Sequence, residues 1–203
     1  MKLRTILSLL LILFILVTDQ ALKIAVKTHM SLYEHIVVTD WFHIAFVENR
    51  GMAFGMDFIG TAVLTVFRFL AVGVFCWCLA HCIRRRYPMG FIICLSLVIA
   101  GAIGNIIDNC LYGLVFSESY PANPFYAPVA EFVPFGKGYG NFLSGRVVDM
   151  FYFPLWQWPE SWPIIGGRTF FGAVFNLADA AISVGAVAII LFHYRQLSEI
   201  LKK

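Results

Sequence analysis

Two aspartates, Asp149 and Asp179, lie inside apolar runs of the sequence, where carboxylates are expected to be rare. The chain is 60% hydrophobic and only 13% charged, so each of these acids lowers stability and is a candidate for function. Two carboxyl groups held close together share a proton, because like charges a few ångströms apart resist joint ionisation. One acid could then activate water while its neutral partner polarises a peptide carbonyl, which is the chemistry of an aspartic protease.

The elements that position these acids are predicted to be membrane helices. Four apolar stretches, at about residues 5–26, 61–83, 89–108 and 171–194, are long enough to cross about 30 Å of hydrocarbon. We expect the first to be retained, because Asp19 disfavours a signal-peptide cleavage site. The fold class is therefore an integral membrane all-α protein with four transmembrane helices, in one domain over residues 1–203. A net charge of +3 gives no reason to expect nucleic acid as a partner.

Lysine and arginine in the short connections predict the orientation. The N-terminus, the loop that contains Arg84 and Arg86, and the C-terminus carry this positive charge, so they are expected in the cytoplasm. The segments 27–60 and 111–170 then face outward. Residues 41–49 and 146–153 are rich in β-branched and aromatic side chains and predict short strands there, and the tryptophans at 156–162 are expected in the interfacial aromatic belt.

Most polar residues of the predicted helices fall at one depth, near the outer face. This distribution indicates a site open to the outer leaflet, whereas a proton-coupled transporter or channel subunit should also place acids deeper in the bilayer. That transporter class and a purely structural membrane subunit are the alternative functions. The residues at this depth are Asp19, Lys23, Arg68, Asn105, Asp108, Asn176 and Asp179.

Several of these residues have structural alternatives. Asp19 and Lys23, four apart on one helix face, could form an ion pair that fixes packing or could orient a substrate. Arg68 is expected to pair with Asp19 or to reach the lipid headgroups. Asn105 and Asn176 could bond across helices, or could hold the acids or the substrate backbone.

We expect no cofactor and no metal, because the histidines are scattered over the sequence. The five cysteines are interpreted as small packing residues.

Five motifs in order along the chain resemble the lipoprotein signal peptidases, also called signal peptidase II. Each motif is weak alone, but five in order on four helices form a specific signal. They are TDQALK at 18–23, ENRGMAFG at 48–55, GAIGNIID at 101–108, GRVVD at 145–149 and FNLADAAI at 175–182.

The resemblance implies an aspartic endopeptidase that cleaves diacylglyceryl-modified prolipoproteins at the outer face of the bacterial cytoplasmic membrane. It also implies a four-helix membrane bundle with a small extracytoplasmic β-cradle, and inhibition by the peptide antibiotics that act on the family. The family's catalytic aspartates map onto Asp149 and Asp179. We expect a monomer embedded in membrane lipids. The residues expected to support substrate binding or catalysis are Asp19, Lys23, Asn49, Gly51, Asn105, Asp108, Arg146 and Asn176.

Two departures from the family pattern bear on the site. The family commonly has arginine directly after the third-helix aspartate, where this chain has Asn109, so Arg146 or Arg50 is expected to substitute. The stretch 114–145 is longer than usual and rich in proline, which predicts an enlarged outer loop of unassigned role. The sequence also leaves open which aspartate is the base, and a pair of Asp108 with Asp179 is the nearest rival.

Overall fold

Long helices form where the sequence is continuously apolar. The computed structural model, which describes residues 1–49, 61–123 and 125–202, has α1 (Lys2–His29), α2 (Thr61–Arg84) and α3 (Met89–Ile107) at the first three predicted spans. Each of these helices is long and apolar enough to cross a membrane. Exposed leucine, valine and phenylalanine side chains cover much of α1 and α2, as expected of surfaces that contact lipid.

Helix α3 ends within one residue of the predicted boundary at 108, but the helical path does not stop there. It continues through a π-helical turn, Asp108–Tyr112, into the short α4 (Gly113–Val115). Turns of this kind are rare and occur often at functional sites. Asp108 and Asn109 therefore lie where the helical ladder changes its hydrogen-bonding pattern.

The last apolar stretch is shorter than predicted. Helix α5 (Leu177–Phe192) begins six residues after the expected start at 171, because Asn176 has extended backbone angles and caps the helix. After Phe192 the chain bends by 90° into α6 (Tyr194–Leu201). Within the described residues, the structure thus has three spans by length and composition, or four if the bent pair counts as one.

Two of the strands confirm the strand prediction. Strands β1 (His35–Thr39), β2 (Phe42–Asn49) and β3 (Val147–Tyr152) form an antiparallel sheet in that order, and β2 and β3 fall at the predicted 41–49 and 146–153. Two further strands, β4 (Trp156–Gln157) and β5 (Thr169–Phe170), pair separately. The buried face of the larger sheet includes Phe46, Val148 and Met150, which pack near the C-terminal end of α1.

Helix α3 lies at the centre of the bundle and packs closely on α5. A Cβ atom at Gly101 would lie 2.2 Å from the carbonyl oxygen of Ala178, so a larger residue would force the two backbones apart. Farther from the sheet, Leu79, Ile83, Phe91 and Ile92 form an apolar core between α2 and α3. The polar residues of α1, α3 and α5 thus lie at the end of the bundle that meets the sheet.

Candidate active site

The two aspartates reach the same place from different elements. Asp149 lies on β3, where it pairs with Val47 of β2, and it is only 3% exposed. Asp179 lies in the first turn of α5, where its backbone N–H donates to the side-chain Oδ1 of Asn176 at 2.8 Å. This capping bond holds Asn176 against the first turn of α5 and so fixes the position of Asp179.

Amide side chains connect the two carboxylates. Asn176 Nδ2 donates to Asp149 Oδ1 at 2.7 Å, and Asn105 Nδ2 donates to Asp179 Oδ1 at 2.8 Å. The two amides also contact each other, with Asn176 Nδ2 lying 3.3 Å from Asn105 Oδ1. Each predicted asparagine therefore binds one of the predicted acids, which joins α3, α5 and β3 in one hydrogen-bonded chain.

Burial and charge act together on Asp149. Burial raises its pKa, the negative charge of Asp179 raises it further, and the pKa reaches about 7. The hydrogen bonds from Asn176 and from Asn49, whose Nδ2 lies 3.4 Å from Asp149 Oδ2, oppose this rise. Asp149 can therefore gain or lose a proton near neutral pH.

A second pair of carboxylates shares one lysine. Lys23 Nζ lies 2.8 Å from Asp19 Oδ2 and 2.8 Å from Asp108 Oδ2, and all three side chains are almost completely buried. Asp19 Oδ1 also accepts the backbone N–H of Ala178 at 2.9 Å, while Gln20 Nε2 donates to Asp108 Oδ1 at 2.8 Å. We call Asp19, Lys23 and Asp108 the helix triad, because it ties α1, α3 and α5 together.

The helix triad bears on two predictions, the ion pair between Asp19 and Lys23 and the choice of partner for Asp179. The ion pair predicted between Asp19 and Lys23 is present. Asp108 is occupied by Lys23 and Gln20, whereas Asp149 is linked to Asp179 through the two asparagine amides, so the geometry favours Asp149 as the partner of Asp179. Lys23 also donates to Asn105 Oδ1 at 3.0 Å, which links the triad to the amides of the site.

The contact expected between Arg68 and Asp19 does not form. Arg68 Nη1 instead donates to Asn109 Oδ1 at 2.5 Å. Asp19 accepts from Lys23 and from the Ala178 backbone instead. The guanidinium that meets Asn109 in this structure therefore comes from α2.

Arg146 lies in a separate ionic cluster, which we call the cradle cluster. Arg146 Nη1 donates to Glu48 Oε2 at 2.9 Å and also binds Glu118 of the enlarged loop, while Lys27 binds Glu48 and Ser119. Burial alone would lower the pKa of Arg146, but the hydrogen bonds to Glu118 and Glu48 hold it above its usual value. The Arg146 guanidinium thus contacts Glu48 and Glu118, and not Asn109 as expected.

Of the other residues predicted for the site, some lie within the described residues and some do not. Asn49 reaches Asp149 from β2, whereas Gly51 and Arg50 lie outside the described residues. Sequence reasoning missed Lys27 and Gln20. The signal for Lys27 was available, because Asp19, Lys23 and Lys27 recur every four residues and so follow one face of α1.

Comparison with known proteins decides the class of this site. The family model for signal peptidase (SPase) II matches residues 11–195. The chain belongs to the signal peptidase II family. It is thus a peptide hydrolase of the aspartic type, and the transporter alternative finds no support in these comparisons.

Several relatives carry the name lipoprotein signal peptidase. The protein from Porphyromonas gingivalis is 45% identical over 196 residues, covering 94% of this chain and 84% of that protein. The relative from Amoebophilus asiaticus is 32% identical and covers 86% of this chain and 72% of its own length. The relative from Chlorobium luteolum is 30% identical, covering 91% and 89% respectively.

A solved structure has the same fold. A bacterial membrane enzyme determined by the in meso method at 2.3 Å resolution superposes with a TM-score of 0.59 at 22% sequence identity. The match covers 95% of this chain and 90% of that one. The membrane-enzyme fold therefore extends over nearly the whole molecule.

Proposed function

We propose that the chain removes the signal peptide from diacylglyceryl-modified prolipoproteins, with Asp149 and Asp179 as the catalytic pair. The observation that carries this proposal is the hydrogen-bonded chain in which Asn176 and Asn105 join the two acids. Within the part of the chain that the structure describes, neither acid has a cation within 4.0 Å. Both carboxyl groups are thus left to exchange protons.

The reaction follows from the charge states. The ionised carboxylate of the pair takes a proton from a water molecule, and the water oxygen attacks the scissile carbonyl carbon. The protonated carboxyl group donates a hydrogen bond to the carbonyl oxygen as negative charge develops there. Transfer of a proton to the leaving nitrogen then breaks the peptide bond and frees the signal peptide with a new carboxylate.

The asparagines position this pair. Because Asn176 donates to Asp149 and accepts from the backbone of Asp179, a shift of either acid breaks one of its bonds. Asn105 holds the other carboxylate while accepting from Lys23. Asn49 and Gly51 are proposed to guide the substrate backbone from the outer side.

The proposed placement in the membrane has four spans, with α5 as the fourth. Both termini and the Arg84–Arg86 loop then face the cytoplasm of a bacterial inner membrane. The β1–β3 sheet forms a small cradle at the outer surface, beside the enlarged outer loop. The site faces outward at that level, where a lipidated cysteine keeps its acyl chains in the leaflet and presents the nearby peptide bond.

The proposal includes the remaining properties expected of the family. We propose that the enzyme acts as a monomer in contact with membrane lipids. Peptide antibiotics that inhibit the family should bind at the acid pair and compete with the precursor.

Purified protein in detergent or nanodiscs can test the function directly. Incubation with a diacylglyceryl-modified precursor should give a mass shift equal to the signal peptide, and the unlipidated precursor should be cleaved much more slowly. Asp179→Asn should abolish the shift, whereas Asp40→Asn, the same change in an exposed acid of the β1–β2 turn, should leave it intact. Equal cleavage by wild type and Asp179→Asn would reject the proposal.

A further inference from the structure

Arg68 lies where a charged side chain is unfavourable. It is the only lysine or arginine between residues 61 and 83, and its neighbours Phe67 and Phe69 are exposed on the apolar surface of α2. An arginine in such a helix lowers stability unless a specific partner or function retains it. Its side chain is half-buried and turned toward the site, away from that apolar surface.

The partner of Arg68 connects it to the catalytic strand. Asn109, which is 0% exposed, accepts from Arg68 through Oδ1 and donates through Nδ2 to the carbonyl oxygen of Gly145 at 2.8 Å. Gly145 lies directly before the segment that leads to Asp149. Asn109 thus fixes the guanidinium relative to β3, which a side chain that merely reaches for headgroups would not require.

The two cations near the site, Lys23 and Arg68, differ in how far nearby carboxylates balance their charge. Lys23 is held by Asp19 and Asp108, so its charge is already balanced. The carboxylates of Asp179, Asp108 and Asp149 all attract the guanidinium of Arg68. Lys23 also acts on Asp149, but its ammonium group is already bound by two carboxylates. Within the described segments, Arg68 is therefore the cation near the acid pair whose charge is not already balanced by an ion pair. The charged groups at this end of the bundle include Asp19 and Lys23 from α1, Asp108 from the turn after α3, Asp149 from β3 and Asp179 from α5.

We propose that Arg68 is a positioning residue that supplies the positive charge for the acid pair, with Asn109 holding its guanidinium in place. This inference rests on the proposed function, because the pair that Arg68 balances is the proposed catalytic pair. The cation stabilises the state in which one acid is ionised and the other is protonated. Arg68 acts through Asp149 and Asp179.

The pH profile of cleavage separates this role from packing. Loss of the cation makes both acids harder to ionise, so the profile of kcat/KM in Arg68→Gln should move to higher pH by about one unit. Activity on the acidic limb should then fall about tenfold. Arg68→Lys keeps the charge and should have the wild-type profile, with a lower kcat because the fork that binds Asn109 is lost.

A matched control uses the same change on the same helix. Arg84→Gln removes an exposed arginine at the opposite end of α2 and should leave both rate and profile unchanged. A profile of Arg68→Gln that coincides with wild type would overturn the inference. Should that variant fail to fold, Arg68→Lys decides, and a profile displaced by about one unit despite the retained charge would likewise overturn it.

The two proposals fail in different ways. If wild-type protein does not cleave the lipidated precursor at any pH, the proposed function fails. If wild type cleaves and Arg68→Gln has an unshifted profile, only the inference about Arg68 fails.

Discussion

Two pairs of carboxylates lie at the same end of the helical bundle, yet they are held in different ways. Asp19 and Asp108 share the ammonium group of Lys23 at 2.8 Å each. Asp149 and Asp179 are held by the neutral amides of Asn176 and Asn105. An ammonium partner holds an acid in place through a charged contact, whereas an amide orients an acid without supplying a countercharge. The first pair therefore suits structure and the second suits catalysis.

The largest effect that tests this contrast is on activity. Asp149→Asn and Asp179→Asn should each lower kcat for lipidated precursor by on the order of 10³-fold or more, since an amide cannot exchange the proton. Asp108→Asn should lower folded yield while the folded fraction retains turnover. Single-turnover rates per folded molecule give the comparison, and equal loss of rate in Asp108→Asn and Asp149→Asn would remove the distinction between the pairs.

The helix triad should dominate stability. Lys23→Met leaves two buried carboxylates without their cation, so we expect a loss of about 3–5 kcal/mol in the free energy of unfolding. Unfolding in mixed micelles measures this loss, with Lys2→Met at the exposed start of α1 as the control. A stability of Lys23→Met equal to that of Lys2→Met would contradict the structural role of the triad.

Asp149 should have the opposite effect on stability. Its pKa of about 7 lies above the ordinary value, so the folded state binds the proton more tightly than the unfolded state. Its contribution to stability is present at low pH and is lost as the pH rises from about 4 to about 7, at about 1.4 kcal/mol per pKa unit. Asp149→Asn should therefore be more stable than wild type at pH 8, by thermal unfolding across pH. A variant less stable than wild type at that pH would refute the raised pKa.

The cradle cluster should give the smallest effect. Arg146→Ala removes a guanidinium that is only partly buried, and Glu48 keeps Lys27 and Ser119 as partners, so we expect a loss of about 1–2 kcal/mol. The kcat of Arg146→Ala should change little, whereas Asn109→Ala should lower kcat because Arg68 loses the hydrogen bond that holds it. A severe loss of kcat in Arg146→Ala with wild-type turnover in Asn109→Ala would reverse the assignment.

Local patterns predicted much of the molecule. The apolar runs identified α1 to α3, the β-branched and aromatic composition identified β2 and β3, and the four-residue spacing identified the ion pair of Asp19 with Lys23. The start of α5 was placed too early, because apolar residues 171–175 fit a helix pattern but the Asn176 cap decides where the helix begins. A hydropathy pattern does not show where a capping residue begins a helix.

Contacts between distant segments could not be predicted in the same way. Arg68 and Asn109 are 41 residues apart, and Arg146 and Glu48 are 98 apart. Sequence spacing constrains partners only within a helix or between adjacent strands. Which guanidinium meets Asn109 depends on how α2 packs beside the turn after α3, and only the folded chain determines that.

The shared proton of Asp149 and Asp179 can be measured by infrared spectroscopy of the purified protein. We expect a protonated carboxyl band that titrates near pH 7, disappears in Asp149→Asn, and moves to lower pH in Asp179→Asn because the neighbouring charge is gone. A spectrum in which Asp149→Asn leaves every protonated carboxyl band of the wild type unchanged between pH 5 and about 7 would contradict it.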